Sequence, residues 1–200
     1  MQELDKQTCR EKLGVTSKDM FLWVGRLERN KDPLTALISF EKYLHSNSSA
    51  KLYMIYHEAS LLEEVLQKIG GSQLLKDAVT LIGKIDNNEM ASWYCAADFY
   101  ISCSWRESTG YALIEAMACG CIPIVTDIPS FRKITDEGRL GILFERGDTD
   151  SLYNSLLKCQ LLEKEKLSKQ IILYFKSNLS FEKIASDIYL LCRKLLKIDL

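Results

Sequence analysis

Two stretches of the chain carry residue types that could hold an anion. The first, Arg26-Leu27-Glu28-Arg29-Asn30-Lys31-Asp32-Pro33, follows the run Phe21 to Gly25 and sets Arg26 and Lys31 five residues apart, between an expected strand end and helix start. An arginine fork and a lysine point charge placed there can both grip phosphate oxygens. The same cations could instead be solvated or pair with Glu28 and Asp32, and charge alone does not separate the readings.

The second stretch runs from Ser104 to Gly120, and from Tyr111 to Cys119 every residue but Glu115 is apolar. A carboxylate in a helix apolar on all sides is expected to be buried, which costs free energy unless the group is paired or receives hydrogen bonds. Sugar hydroxyls of a ligand would supply those bonds, and a nearby arginine would do so equally well. Gly110 lets backbone approach a ligand closely, and the amides of the helix it opens suit an anion. Glu107 and Glu115 lie eight residues apart, on the order of 10 Å if mostly helical, with those amides between them. That is about the reach of a nucleotide sugar across its diphosphate. Glu107 would then meet the sugar end and Glu115 the ribose end; otherwise Glu107 is an exposed loop carboxylate.

The elements that must position these loops read as alternating strands and helices. Short, largely apolar runs fall at Met20 to Gly25, Lys51 to Tyr56, Ala78 to Ile82, Asp98 to Ser102, Ile122 to Thr126 and Gly141 to Phe144. Such runs suit strands covered on both faces. Between them Pro33 to His45, Ser60 to Ile69, Asn87 to Ala96 and Gly110 to Cys119 are apolar at helical spacing and long enough to cross between parallel strands. The predicted fold is α/β, a doubly wound, Rossmann-like parallel sheet of about six strands, in which ligands bind beyond the carboxyl ends of the strands. Asp32-Pro33 supplies a helix cap, and Asp86 with Glu89 forms a candidate capping box. After Asp148 three amphipathic helices are predicted, Thr149 to Leu162, Glu163 to Lys176 and Phe181 to Lys197, the last with Ile184, Ile188, Leu191, Leu195 and Ile198 on one face. The ordinary expectation is that this stripe packs on the sheet; a membrane-surface or interdomain role is the alternative.

Composition narrows the function. Two hundred residues, 47% hydrophobic and 26% charged, fit one ordinary globular domain or two very small ones, and a formal net charge of −1 argues against a nucleic-acid partner. The seven cysteines are scattered, with no Cys-x-x-Cys pair, and neither His45 nor His57 stands near them in sequence, so the expectation is a reducing, cytoplasmic setting without a metal site. No amino-terminal h-region occurs, and no stretch approaches the ~18 to 20 apolar residues of a membrane span, so the chain is expected to be neither secreted nor integral to a membrane. No Gly-x-Gly-x-x-Gly follows any strand, against a dinucleotide oxidoreductase. A response-regulator-like module would leave Glu107 and Glu115 unexplained.

Gly25-Arg26-Leu27 with Lys31, and Glu107-x7-Glu115 running into Glu115-Ala116-Met117-Ala118-Cys119-Gly120, resemble the donor-binding, C-terminal domain of the retaining GT-B glycosyltransferases of family 4 (group 1). Ala96 to Ser102 and Ile122 to Asp127 resemble the strands flanking the glutamate pair, so the likeness spans nearly the whole chain. It implies that residues 1–200 are one half of a GT-B fold, that Arg26 and Lys31 bind the donor diphosphate, that Glu115 binds ribose and that Glu107 contacts the donor sugar. Arg26, Lys31 and Glu107 are thereby the implied catalytic set. Thr109, Gly110 and Tyr111 are implied at the sugar and phosphate, and Ile85, in the loop Gly83-Lys84-Ile85, beside the base. The implied reaction is glycosyl transfer with retention from a nucleoside-diphosphate sugar, UDP or GDP being the expected nucleotide, with no metal or other cofactor. The implied partner is an N-terminal acceptor domain, without which this domain is expected to be inactive, and the resemblance leaves room for peripheral membrane association of the full enzyme. The final helix resembles one that crosses back to that domain, which would leave its apolar face partly uncovered and the chain inclined to self-associate. Two departures stand out: Tyr56-His57-Glu58-Ala59-Ser60 replaces a glycine-rich turn, and Ser108-Thr109 replaces a glycine-aromatic pair. A non-catalytic nucleotide-sugar-binding subunit and a GT-B sugar-nucleotide epimerase would share the same donor loops.

Overall fold

The computed structural model describes residues 5–196. Six parallel strands form one sheet: β1 (Met20–Gly25), β2 (Lys51–Tyr56), β3 (Val79–Gly83), β4 (Phe99–Ser102), β5 (Ile122–Thr126) and β6 (Ile142–Phe144), in the spatial order β3-β2-β1-β4-β5-β6. The helices are α1 (Lys6–Leu13), α2 (Pro33–Leu44), α3 (Leu62–Gly70), α4 (Gln73–Ala78), α5 (Asn87–Ala96), α6 (Tyr111–Ala118), α7 (Pro129–Ile134), α8 (Thr149–Lys158), α9 (Lys164–Tyr174) and α10 (Phe181–Leu196). This is the doubly wound α/β architecture expected, with strand order reversing between β1 and β4. Phe21 of β1 and Phe99 of β4 are register partners, and their rings stack 4.8 Å apart, joining the two halves of the sheet at that reversal.

Strands this apolar are buried on both faces, β4 and β5 along their whole length. On one side α2 packs with α3, α4 and α8; on the other, α1 packs with α5, and α6 with α5 and α9. Asp98, just ahead of β4, fastens α1 to the sheet: it accepts from Lys6, from Arg10 and, at 2.8 Å, from the Met20 amide.

As expected, Asp32 caps α2, through the Thr35 amide and hydroxyl at 3.2 and 2.8 Å and from a left-handed backbone with φ 44°. Other local expectations are corrected. Asp86 makes no side-chain cap; its carbonyl oxygen takes the Glu89 amide at 2.9 Å instead, so no capping box forms. The six-residue helices α4 and α7 were not anticipated. The segment after Asp148 is helical as expected, but α8 ends in a 3-10 turn at Cys159–Leu161 and α9 in a π-turn at Phe175–Leu179.

The largest correction concerns α10. Its apolar stripe does not pack on the sheet, both faces of which are already covered, and no residue of the helix is buried. Phe181, Ile184, Ile188, Leu191 and Leu195 are all exposed. Lys197 and Ile198, assigned to the same helix from sequence, lie outside the described residues.

Candidate donor-binding site

At the carboxyl ends of β1 and β2, beside the helix α6 that follows β4, the structure forms a groove of about 540 Å³, in the region where a doubly wound sheet binds its ligands. Arg26, Lys31, Ile85, Tyr111 and Glu115 line it together. Among the other walls are His57, Lys84, Asn87, Met90 and Tyr94. The loop carrying Arg26 and Lys31 is held from both flanks. The Leu27 amide donates to Glu58 O at 2.7 Å, the Leu61 amide to Leu27 O at 2.8 Å, and the Trp105 amide to Asn30 O at 2.8 Å. Gly25 ends β1 where a Cβ would press on the Trp23 ring at 3.2 Å and on the Lys31 stem at 3.4 Å, so its small size lets Lys31 lie against the strand end.

The charges are arranged as follows. Arg26 is 43% exposed and pairs with Glu28 at 2.9 Å and Glu58 at 3.6 Å, so one of the pairings foreseen for it is realised. Lys31 pairs instead with Glu107, 76 residues away, rather than with Glu28 or Asp32. Glu107 also accepts from the Ser104 hydroxyl at 2.8 Å, and its side chain is 15% exposed, so it is not a free loop carboxylate. Glu107 therefore stands behind Lys31 rather than among the residues lining the groove.

Glu115 departs from expectation. It is exposed to the groove rather than buried, because α6 turns Leu113, Ala116 and Met117 to the core and leaves Glu115 on the opposite side. Its protein partner is not the arginine weighed from sequence: the Tyr94 hydroxyl donates to it at 3.1 Å. Burial pushes the Tyr94 phenol far above its ordinary range, with Tyr100 and Glu115 adding to the effect, so it remains a donor. Tyr94 was invisible in the sequence, since it sits mid-helix in an apolar segment with no charge to mark it.

Gly110 opens α6 at φ +68°, a backbone conformation that favours glycine, and a Cβ there would meet Phe131 at 3.0 Å and Ile134 at 3.3 Å. Its place is thus fixed by packing as well as by the helix start. Thr109 is exposed on the loop and, like Gly110, is not part of the groove's lining. Among the described residues no group of three or more His, Cys, Asp or Glu side chains is arranged to hold a metal ion. Likewise, no helix is long and apolar enough to cross a membrane.

With this geometry in hand, comparison places the chain in a family. Residues 5–178 match the family model described as glycosyl transferases group 1, and the chain belongs to that family. Among curated relatives it is 30% identical over 143 residues to the GDP-mannose:cellobiosyl-diphosphopolyprenol alpha-mannosyltransferase of Xanthomonas oryzae pv. oryzae, covering 72% of this chain and 38% of that protein. Among solved structures, it is similar to the C-terminal domain of the group 1 glycosyl transferase LpcC from Francisella tularensis, with TM-score 0.78, 20% identity and 88% of this chain matching 94% of that one. It is similar also to Anabaena HepE, solved in complex with UDP, with TM-score 0.80, 18% identity, 97% of this chain and 53% of that one. The fold is that of one half of a GT-B glycosyltransferase. The chain spans about a quarter to a half of the length of the curated relatives it matches.

Proposed function

We propose that this chain is the donor-binding, C-terminal half of a retaining glycosyltransferase of family 4, and that it holds a nucleoside-diphosphate sugar in the groove between the ends of β1 and β2 and helix α6. The observation that carries the reading is the convergence of Arg26, Lys31 and Glu115 on one groove at the reversal of strand order, from loops far apart in sequence. In this reading Arg26 and Lys31 hold the diphosphate, Glu115 accepts from the ribose hydroxyls beside Tyr94, and Ile85 lies against the base. Glu107 accepts from a sugar hydroxyl, with Thr109, Gly110 and Tyr111 shaping the approach to sugar and phosphate. UDP or GDP is the nucleotide we favour; HepE, of the same fold, was solved with UDP.

Charge builds on the diphosphate as the glycosidic bond breaks, so cations fixed beside it stabilise the transition state more than the ground state. Two such cations can neutralise the leaving group without a metal ion. An acceptor hydroxyl must come from a second domain, which we place against the apolar face of α10, since no described residue buries that face. A full enzyme so assembled would work in the cytoplasm and could associate peripherally with a membrane.

The direct test is calorimetric titration of the chain with UDP, GDP, ADP and their common sugar conjugates, beside Arg26→Ala and Glu115→Gln variants. Binding of one nucleotide, weakened roughly tenfold or more in each variant, is the expected result. Nucleotide binding indifferent to both substitutions would reject the site.

A further inference from the structure

A second groove, of about 800 Å³, opens across the β1–α2 loop from the donor groove and shares none of its lining residues. Arg29, Arg106 and Arg146 face it from the loops after β1, β4 and β6 respectively, together with Trp105, Asp32 and Glu64. Leaving aside Arg193 on α10, the arginines divide into two kinds. Arg10, Arg26, Arg132 and Arg139 each pair with a carboxylate. Arg29, Arg106 and Arg146 pair with none among the described residues, and all three stand on this groove. An unpaired guanidinium costs little on an open surface; three on one concavity outweigh the two carboxylates there, Asp32 and Glu64, and leave it net positive toward an anion.

The groove is also built. The Trp105 indole nitrogen donates to Asp32 at 3.1 Å, which occupies one carboxylate there, while Thr35 takes up the rest of Asp32. The Arg146 guanidinium lies 4.9 Å from the centroid of the Trp105 ring and donates to Trp105 O at 3.2 Å. Asn30 donates to Arg106 O at 3.1 Å, locking the loops of Arg29 and Arg106 together. Gly147, at φ +74°, backs the ring where a Cβ would come within 3.0 Å. The anchoring partners are indole, backbone and amide groups, which leaves the forks of Arg29 and Arg106 available.

We propose that Arg29, Arg106 and Arg146 around Trp105 form a second oxyanion site, separate from the donor groove, that takes a phosphate or diphosphate group. Two open guanidinium forks on separate loops, with the charge of Arg146 beside them, suit a tetrahedral, multiply charged group better than a single carboxylate. Asn30 lines this groove and Lys31, the next residue, lines the donor groove, so an anion held here stands beside the reacting sugar. That the group belongs to the acceptor rests on the function proposed above; that the groove binds it does not.

The Trp105 indole signal in a nitrogen-proton correlation spectrum, assigned with Trp105→Phe, reports this groove, since Trp23 and Trp93 are buried elsewhere. Inorganic pyrophosphate titrated into the chain should shift that signal saturably, equally in wild type and in Arg26→Ala. In Arg29→Ala/Arg106→Ala the apparent affinity should fall roughly a hundredfold. A water-soluble short-chain phosphatidic acid, tested alongside, tells a free phosphoryl compound from a lipid headgroup. The proposal is overturned if the double variant retains the shift, or if Arg26→Ala loses it, which would put the pyrophosphate in the donor groove. Equally fatal would be binding to anionic vesicles with no response to pyrophosphate. Nucleotide binding unaffected by Arg26→Ala would sink the donor reading and leave this one standing.

Discussion

Glu107 neutralises Lys31 from behind the wall of the donor groove, so a diphosphate approaching Lys31 competes with a carboxylate already paired to it. Replacing Glu107 by Gln removes that competitor while keeping the shape and the Ser104 contact. Under the proposed function Glu107→Gln should therefore bind the bare nucleoside diphosphate several-fold tighter, roughly 1 kcal/mol for a part-buried charge pair. The nucleotide sugar should gain less or lose affinity, because a sugar contact goes with the carboxylate. Parallel titrations of both ligands check this, and equal changes for the two would detach Glu107 from the sugar. This pairing shows where residue-level reading of a sequence stops. The types Arg26, Lys31, Glu107 and Glu115 announced themselves, but only the Arg26–Glu28 pairing was foreseen. Lys31 had two acids close in sequence and took one 76 residues distant, while Glu115 took a phenol from a neighbouring helix.

Among the elements, α1 has one acid, Asp98, as the hub of its polar contacts with the sheet. Asp98, 8% exposed, takes Lys6, Arg10 and the Met20 amide, and thus joins the first helix to the starts of β1 and β4. Asp98→Ala takes the acceptor from the Met20 amide and the carboxylate from Arg10, which keeps only the Ala96 and Ser17 carbonyls, and should lower stability by about 3 kcal/mol. Chemical denaturation monitored by far-ultraviolet circular dichroism measures the loss; a change under about 0.5 kcal/mol would mean that α1 is held by packing. Elements of this kind were legible where pattern and length agreed. The bounds of β1, β2, β5 and α5 follow directly from the apolar runs, because a strand buried on both faces admits few polar residues. The helices α4 and α7 were not, since six residues hold less than two turns and leave no period to read. The amphipathic stripe of α10 was legible but its destination was not, because a moment shows that a helix has an apolar side without showing what covers it.

For the whole molecule, burial of weak acids sets an alkaline limit. Burial pushes the Cys119 thiol up to about 11 and those of Cys95 and Cys159 up to about 12, from 9.0, and raises the Tyr94 and Tyr100 phenols well above their usual range. Above the ordinary thiol value the unfolded chain gives up these protons while the folded chain keeps them, so stability falls as pH rises. Full stability is expected below about pH 9, and the melting temperature should drop steadily between about pH 9 and 12. Melting followed with absorbance at the tyrosinate band checks it; a flat melting temperature with early phenolate absorbance would show these groups to be solvated. One consequence of the Lys31–Glu107 pair reaches beyond binding. Under the proposed function, a whole nucleotide sugar satisfies both partners at once, phosphate to Lys31 and hydroxyl to Glu107. Once the sugar has left, Glu107 is bereft and draws Lys31 back from the spent nucleotide. The pair would then act as a return spring, biasing the groove toward release after each transfer and toward reloading with an intact donor.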